Sequence, residues 1–422
     1  MIWIKYLFPV AGFFGTAIGV GLGNYKVTIS IFVPILIASL LFFALRDVKL
    51  KKEGVSIFTL FILMFIPGSI FFIVDTGRWD IPIIQFSMVS LLTISIWIYF
   101  KFLDFDFEKI FNAYLKLALI ASSVGVIQQL AYFADLNFVY DIRWLFFNGA
   151  DLTFNGNFLR VTSVFTEPSY FSYFLMPAVY FSIASIFFKD RTLSLYQAII
   201  IILALVLTFS SVGYMGLLAA FLFQVRFNAK GLIYLFIVLF IAIFLMSYSD
   251  SFLSRISGVI DIYINGLTEK VNLSSFILGL NSILALEIFS DYPFVGIGLG
   301  GARVYALEYL NNFNANNYAL EEHILRLEGG LMLADMGNMY LKLMVESGVF
   351  GMAILMWMLF KYKLSYIESF HVKNIAKASA LFVVIFSLRS GQMIRFELIY
   401  FIILYFMIVT KYYPYHKGPT KN

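Results

Sequence analysis

Cysteine is absent from the 422-residue chain, so neither a disulfide framework nor a thiolate metal site is open to it. Charge is scarce at 13%, against 61% hydrophobic residues and a mean hydropathy of +0.88. Two-residue alternation of apolar and polar residues is missing from the long apolar runs, which excludes a transmembrane β-barrel. No glycine-rich phosphate loop of the Walker type occurs. The net charge of +5 is scattered beside apolar runs rather than gathered into a patch, which argues against nucleic acid as a partner. No small-residue cleavage site comes after the first apolar run, so it reads as a retained span.

What the chain does have is apolar runs near or above 18 residues from end to end, the signature of membrane helices. Lipid cannot satisfy exposed backbone groups, so the spans must be helical. The expected fold is an all-α polytopic integral membrane protein with about 12 transmembrane helices in a single membrane domain, residues 1–422. The spans fall near 5–23, 27–45, 55–74, 81–100, 109–131, 169–188, 194–211, 213–225, 231–248, 339–360, 375–391 and 394–411. The pair 194–211 and 213–225 is short and also reads as one bent unit.

Lysine and arginine collect in alternate loops: Arg46 to Lys52, Lys101 and Lys109, Lys189 and Arg191, Arg226 and Lys230, Lys361 to Lys377, and the C-terminal lysines. The positive-inside rule makes that side cytoplasmic and places both termini there. Two loops are long on the other side, about 134–166 and 249–337, the second between spans 9 and 10 and partly helical. The functional surface is therefore expected to face outward, away from ATP and sugar nucleotides.

Arginine is sorted differently from lysine. Eight of the eleven arginines fall on the outer side: Arg78, Arg143, Arg160, Arg255, Arg303, Arg326, Arg389 and Arg395. Topology explains lysine inside but not arginine outside. A guanidinium is a planar fork that grips phosphate bidentately, so an outward arginine-lined cavity suits a phosphate or pyrophosphate head group. Singly, each of these arginines also reads as a partner for an acidic side chain or an ordinary phospholipid head.

Three stretches carry more specific information. In Arg160-VTSVFTEPSYF-Ser172, Pro168 suits the first helical position and presses Glu167 into an extended conformation. The helix start turns N–H groups outward, toward an anion or toward Glu167 itself as a cap. Ser290-DYPFVGIGLGG-Ala302 comes after an amphipathic segment, Leu280 to Phe289, and its glycines allow a re-entrant or surface-lying turn. In Asn338-MYLKLMVESGVFG-Met352, Asn338, Lys342 and Glu346 share one helix face, and Gly348 and Gly351 suit close helix contact. As general bases near neutral pH, Glu167, His323 and Asp335 are candidates, with Glu321, Glu322 and Glu328 as rivals.

The chain resembles the bacterial O-antigen polymerase and ligase superfamily, which also holds capsule and exopolysaccharide repeat-unit polymerases. The resemblance lies in the dozen spans, the dominant outer loop before the last few, and three patterns. These are Arg160-x-x-Ser163-x-Phe165-x-Glu167-Pro168-Ser169, the Pro-x-x-Gly-x-Gly turn at 293–298, and Asn338-x9-Gly348-x-x-Gly351. The last is similar to the ligase motif, but Gly337 stands where a ligase has histidine. Ser210-Ser211 stands where the family often has Ser-Arg; Arg389 or Arg395 would make good that loss.

The resemblance implies metal-independent, cofactor-free glycosyl transfer on the outer face of the bacterial cytoplasmic membrane. An undecaprenyl-pyrophosphate-linked oligosaccharide is the substrate, and membrane lipids, a chain-length regulator and a flippase are the partners. Arg160, Arg303, Arg326, Arg389, Arg395 and Asn338 then bind pyrophosphate and sugar, and Glu167, His323 or Asp335 takes the proton. A ligase-type transferase and a flippase for the same lipid-linked glycan are the alternatives.

Overall fold

A computed structural model of the protein describes residues 3–15, 19–22, 25–44, 52–142, 152–188, 192–224, 257–258, 260, 273–312, 336–361 and 364–412. The described chain is helical, with two short β-hairpins. The order is α1 (Ile4–Phe14), β1 (Gly19–Leu22), β2 (Tyr25–Thr28), α2 (Ile29–Ala44), α3 (Lys52–Thr76), α4 (Asp80–Phe102) and α5 (Phe107–Phe133). Next come α6 (Asn137–Tyr140), β3 (Phe154–Asn155), β4 (Phe158–Leu159), α7 (Pro168–Phe187), α8 (Leu195–Leu207) and α9 (Ser211–Leu222). The remainder is α10 (Leu273–Asp291), α11 (Ala302–Asn312), α12 (Met339–Lys361), α13 (Phe370–Arg389) and α14 (Phe396–Tyr412).

Among the described residues, six helices are long and apolar enough to cross a membrane: Thr59–Thr76 within α3, then α4, α5, α7, α12 and α13. Four shorter apolar helices, α1, α2, α8 and α9, accompany them. The chain is a multi-pass membrane protein. The expected first span, 5–23, is not one helix: α1 stops at Phe14, and Gly19–Leu22 pairs antiparallel with Tyr25–Thr28. Glycine supplies the reason. A Cβ at Gly15 would lie 2.6 Å from the Ser30 backbone nitrogen, so α1 ends where α2 crosses it, and the glycines at 19, 21 and 23 withhold helix propensity from the next stretch. The pair at 194–211 and 213–225 is two helices, parted at Phe209, whose φ is +46°. The expected ninth span, 231–248, lies outside the described residues.

The main core is aromatic. Phe13 packs edge-on against Phe174, Phe396 and Tyr400, with ring centroids 5.1–5.2 Å apart. Tyr114 adds a polar tie. Its hydroxyl donates to the Phe174 carbonyl at 2.6 Å and accepts from the Ala178 N–H at 3.2 Å, inserting itself into the α7 ladder beside Pro177. Tyr99 likewise reaches the Lys5 carbonyl at 2.8 Å.

A second, smaller core joins α3, α10, α11 and α12 through Phe72, Leu284, Ile288, Ile297, Tyr305 and Val345. On α10, Leu280, Leu284, Ala285 and Ile288 are buried while Leu286 and Glu287 are exposed, so one side of the helix meets this core and the other side also carries an apolar residue.

Candidate functional site

Alternation of the spans brings the end of α5, the start of α7, the α8–α9 corner, the start of α12 and the α13–α14 corner to one end of the bundle. Cross-links fix this: the Val161 N–H donates to the Leu207 carbonyl at 3.1 Å, and Asn338 Nδ2 donates to the Leu388 carbonyl at 3.3 Å.

The stretch 152–167 folds into an arch tied to its neighbours by hydrogen bonds. Its hairpin turns at Gly156, whose φ of +55° a glycine tolerates, and the Arg160 N–H returns to the Thr153 carbonyl at 3.0 Å. Ser163 has a left-handed φ of +51° and is fully buried, which needs external support. Gln128 on α5 gives it: Oε1 accepts from the Ser163 N–H at 2.7 Å, and Nε2 donates to the Ser163 carbonyl at 3.4 Å. The Ser163 hydroxyl donates to the Ala121 carbonyl at 2.7 Å. Pro168 then opens α7, with Glu167 extended before it at φ −140°, ψ 148°. Glu167 is exposed, makes no side-chain cap, and accepts from the Ser169 hydroxyl at 2.9 Å.

Around this helix start gather the arginines. Arg160 is half-buried and its Nε donates to the Thr208 carbonyl at 3.4 Å. Burial lowers its proton affinity, and the negative charge of Glu167 opposes that. Thr208 is tied to α7 in turn, its hydroxyl accepting from Ser172 at 2.9 Å. From the other side, the Arg395 guanidinium lies 4.4 Å over the ring of Tyr170. Arg395 Nε and Glu397 Oε2 are 3.8 Å apart, within ion-pair range but too far for a hydrogen bond. Both atoms are buried without a hydrogen-bond partner. Tyr173, one turn further along α7, packs its ring 5.1 Å from Phe386, and its hydroxyl lies in the fields of Arg389, Arg395 and Glu167 together. Asn338 caps α12, accepting from the Tyr340 N–H at 2.8 Å, and its bond to Leu388 sets it beside Arg389.

Glu167, Arg160, Arg389, Arg395 and Asn338 thus meet at one end. Arg303 does not join them: it lies at the start of α11, a helix of the second core. His323, Arg326 and Asp335 lie outside the described residues. Tyr170, Tyr173, Gln128 and Glu397 escaped the sequence reading. Glu397 had a signal, a carboxylate two residues from Arg395 inside an apolar run.

The other two sequence stretches turn out to be one device. Gly348 is not a packing glycine within a straight helix. Its φ of 60° and ψ of −167° break α12, and the 293–301 turn fills the break. The Ile297 and Gly298 N–H groups donate to the Val345 and Glu346 carbonyls at 3.0 and 2.9 Å. In return, the Val349 and Phe350 N–H groups donate to the Pro293 and Phe294 carbonyls at 2.8 and 3.0 Å. Backbone freed by the break is thereby re-satisfied, as the interior of a membrane protein requires. α3 closes the third side at Ser69, whose hydroxyl accepts from the Leu299 N–H at 3.2 Å. The Glu346 carboxylate accepts from the Gly300 N–H at 3.0 Å, with Lys342 Nζ 3.8 Å away and both side chains buried.

Among the described residues, no three histidine, aspartate or glutamate side chains stand together to share a metal ion. A cavity of about 350 Å³ lies among Asp104, Asp106, Lys109, Lys411 and Tyr412 at the opposite end of α5 and α14, away from the arginines. Comparison with protein families, with curated proteins and with solved structures found no match to this chain.

Proposed function

We propose that the protein polymerises lipid-linked oligosaccharide repeat units by glycosyl transfer from undecaprenyl pyrophosphate at the outer face of the bacterial cytoplasmic membrane. One observation carries the reading: Arg160, Arg389 and Arg395 converge with Glu167 on the start of α7, at one end of a membrane bundle. Fixed guanidiniums of this kind stabilise the charge that gathers on a departing pyrophosphate. A carboxylate beside them can take the acceptor hydroxyl's proton.

Gly337 supports polymerase over ligase. Its φ of +60° suits glycine, and a side chain there would start 3.1 Å from Leu278, so the position disfavours the histidine of the ligase motif. The break in α12 favours a second reading, a flippase, because transporters build their sites from discontinuous helices.

The test is reconstitution of purified protein with synthetic undecaprenyl-pyrophosphate repeat units, with products resolved by size. A ladder of lengthening glycans supports polymerase. Movement of the repeat unit across the bilayer without lengthening supports the flippase and ends the first reading.

A further inference from the structure

The arginines at the start of α7 are opposed by two carboxylates of different kinds. Glu397 is the fixed one: its side chain is 6% exposed, and it stands against Arg395 from within α14. Glu167 is the loose one. It is exposed at the tip of α7, and among the described residues no arginine approaches it within ion-pair distance. Yet arginines flank it on two sides. Arg395 lies over Tyr170, one turn along from Glu167. Arg160 reaches the same turn through Thr208 and Ser172. The field of Glu167 falls on both guanidiniums.

We propose that Glu167 is an exchangeable internal counter-ion of the arginine site: an incoming diphosphate takes its place, and the freed carboxylate then accepts the proton of the attacking sugar hydroxyl. The inference rests on the glycan-transfer reading above and chooses one base among that reading's candidates. Arg395 Nε, buried and without an acceptor, has a hydrogen bond to offer a phosphate oxygen.

The step balances. The acceptor oxygen bonds to the anomeric carbon as its proton passes to a Glu167 carboxylate oxygen. The bond from that carbon to the diphosphate oxygen breaks, and its electron pair leaves with undecaprenyl diphosphate. The same residue therefore opposes binding in the resting site and is needed for turnover in the loaded one.

That double role gives a test with opposite signs. Purified full-length protein is titrated with inorganic pyrophosphate, and glycan lengthening is measured in parallel, for wild type, Glu167→Gln and Glu167→Ala. Both variants are expected to bind pyrophosphate about two- to fivefold more tightly at low salt, with the gain fading at high salt. Lengthening is expected to fall by roughly 10²–10⁴-fold. Unchanged or weaker pyrophosphate binding in both variants, or lengthening retained, overturns the counter-ion proposal while the wild-type ladder leaves the glycan-transfer reading standing. A wild type that neither binds pyrophosphate nor forms a ladder overturns both. Melting temperatures matching wild type show that an exposed side chain has been changed without unfolding the chain.

Discussion

Gln128 sits 2% exposed inside α5 and spends its amide on backbone, accepting from the Ser163 N–H and donating to the Ser163 and Tyr140 carbonyls. Ser163 holds a left-handed φ, and the arch carrying Arg160 and Glu167 hangs from it. Gln128→Ala leaves the buried Ser163 N–H without its partner, while the Ser163 carbonyl keeps the Thr162 hydroxyl. The expected cost is about 1–3 kcal/mol, read as a lowered melting temperature in detergent. Transfer activity should fall further than that loss of folded protein explains, because Arg160 loses its fixed position. Equal stability in mutant and wild type would show that the clamp does not hold the arch. Residue-level prediction from sequence was uneven here. Glu167 and Pro168 declared their conformations through proline sterics. Gln128 declared nothing, because an amide in a hydrophobic run does not name the backbone it will bond to.

At the scale of elements, the break in α12 is the feature with most consequence. A Cβ at Gly348 would lie 2.5 Å from the Phe294 carbonyl oxygen, and its φ and ψ fall where side chains are almost never found. Gly156 also has a positive φ, but nothing lies within 4 Å of a Cβ there. The two glycines therefore separate strain from collision. Gly156→Ala should cost about 1–2 kcal/mol, the strain alone. Gly348→Ala should cost clearly more, because the α12–turn pairing has to part. Thermal unfolding of the two variants side by side checks this, and equal shifts would show that the interlock adds nothing to stability. The apolar run of α12 reads as an unbroken helix because periodicity reports composition along one segment. The four hydrogen bonds that hold the break open come from residues about fifty positions earlier.

For the whole molecule, the question is which end of the bundle faces which compartment. The absence of cysteine makes the native chain a clean background for single-cysteine labelling. Gly156 lies in the hairpin at the arginine end, and Asp104 lies at the opposite end of α5, both exposed. A membrane-impermeant maleimide added to intact cells should label Gly156→Cys and spare Asp104→Cys. Asp104→Cys should react only after the cells are permeabilised. The reverse pattern would invert the topology drawn from the lysines and remove the outward-facing transfer reading with it.

The sequence by itself determined that this chain is a multi-pass membrane protein, and it placed the six long apolar helices seen among the described residues. Those are properties of local composition, since burying a run of apolar side chains in lipid needs no knowledge of its neighbours. Tertiary structure decided the rest. It cut the first expected span into a short helix and a hairpin at Gly15, where α2 approaches too closely for a side chain. It made one interlock of the 293–301 turn and Gly348, and it set Arg160, Arg389, Arg395, Asn338 and Glu167 around a single helix start while leaving Arg303 in another core. Such groupings depend on contacts between residues far apart in the chain, and spacing along the sequence does not encode distances across a bundle.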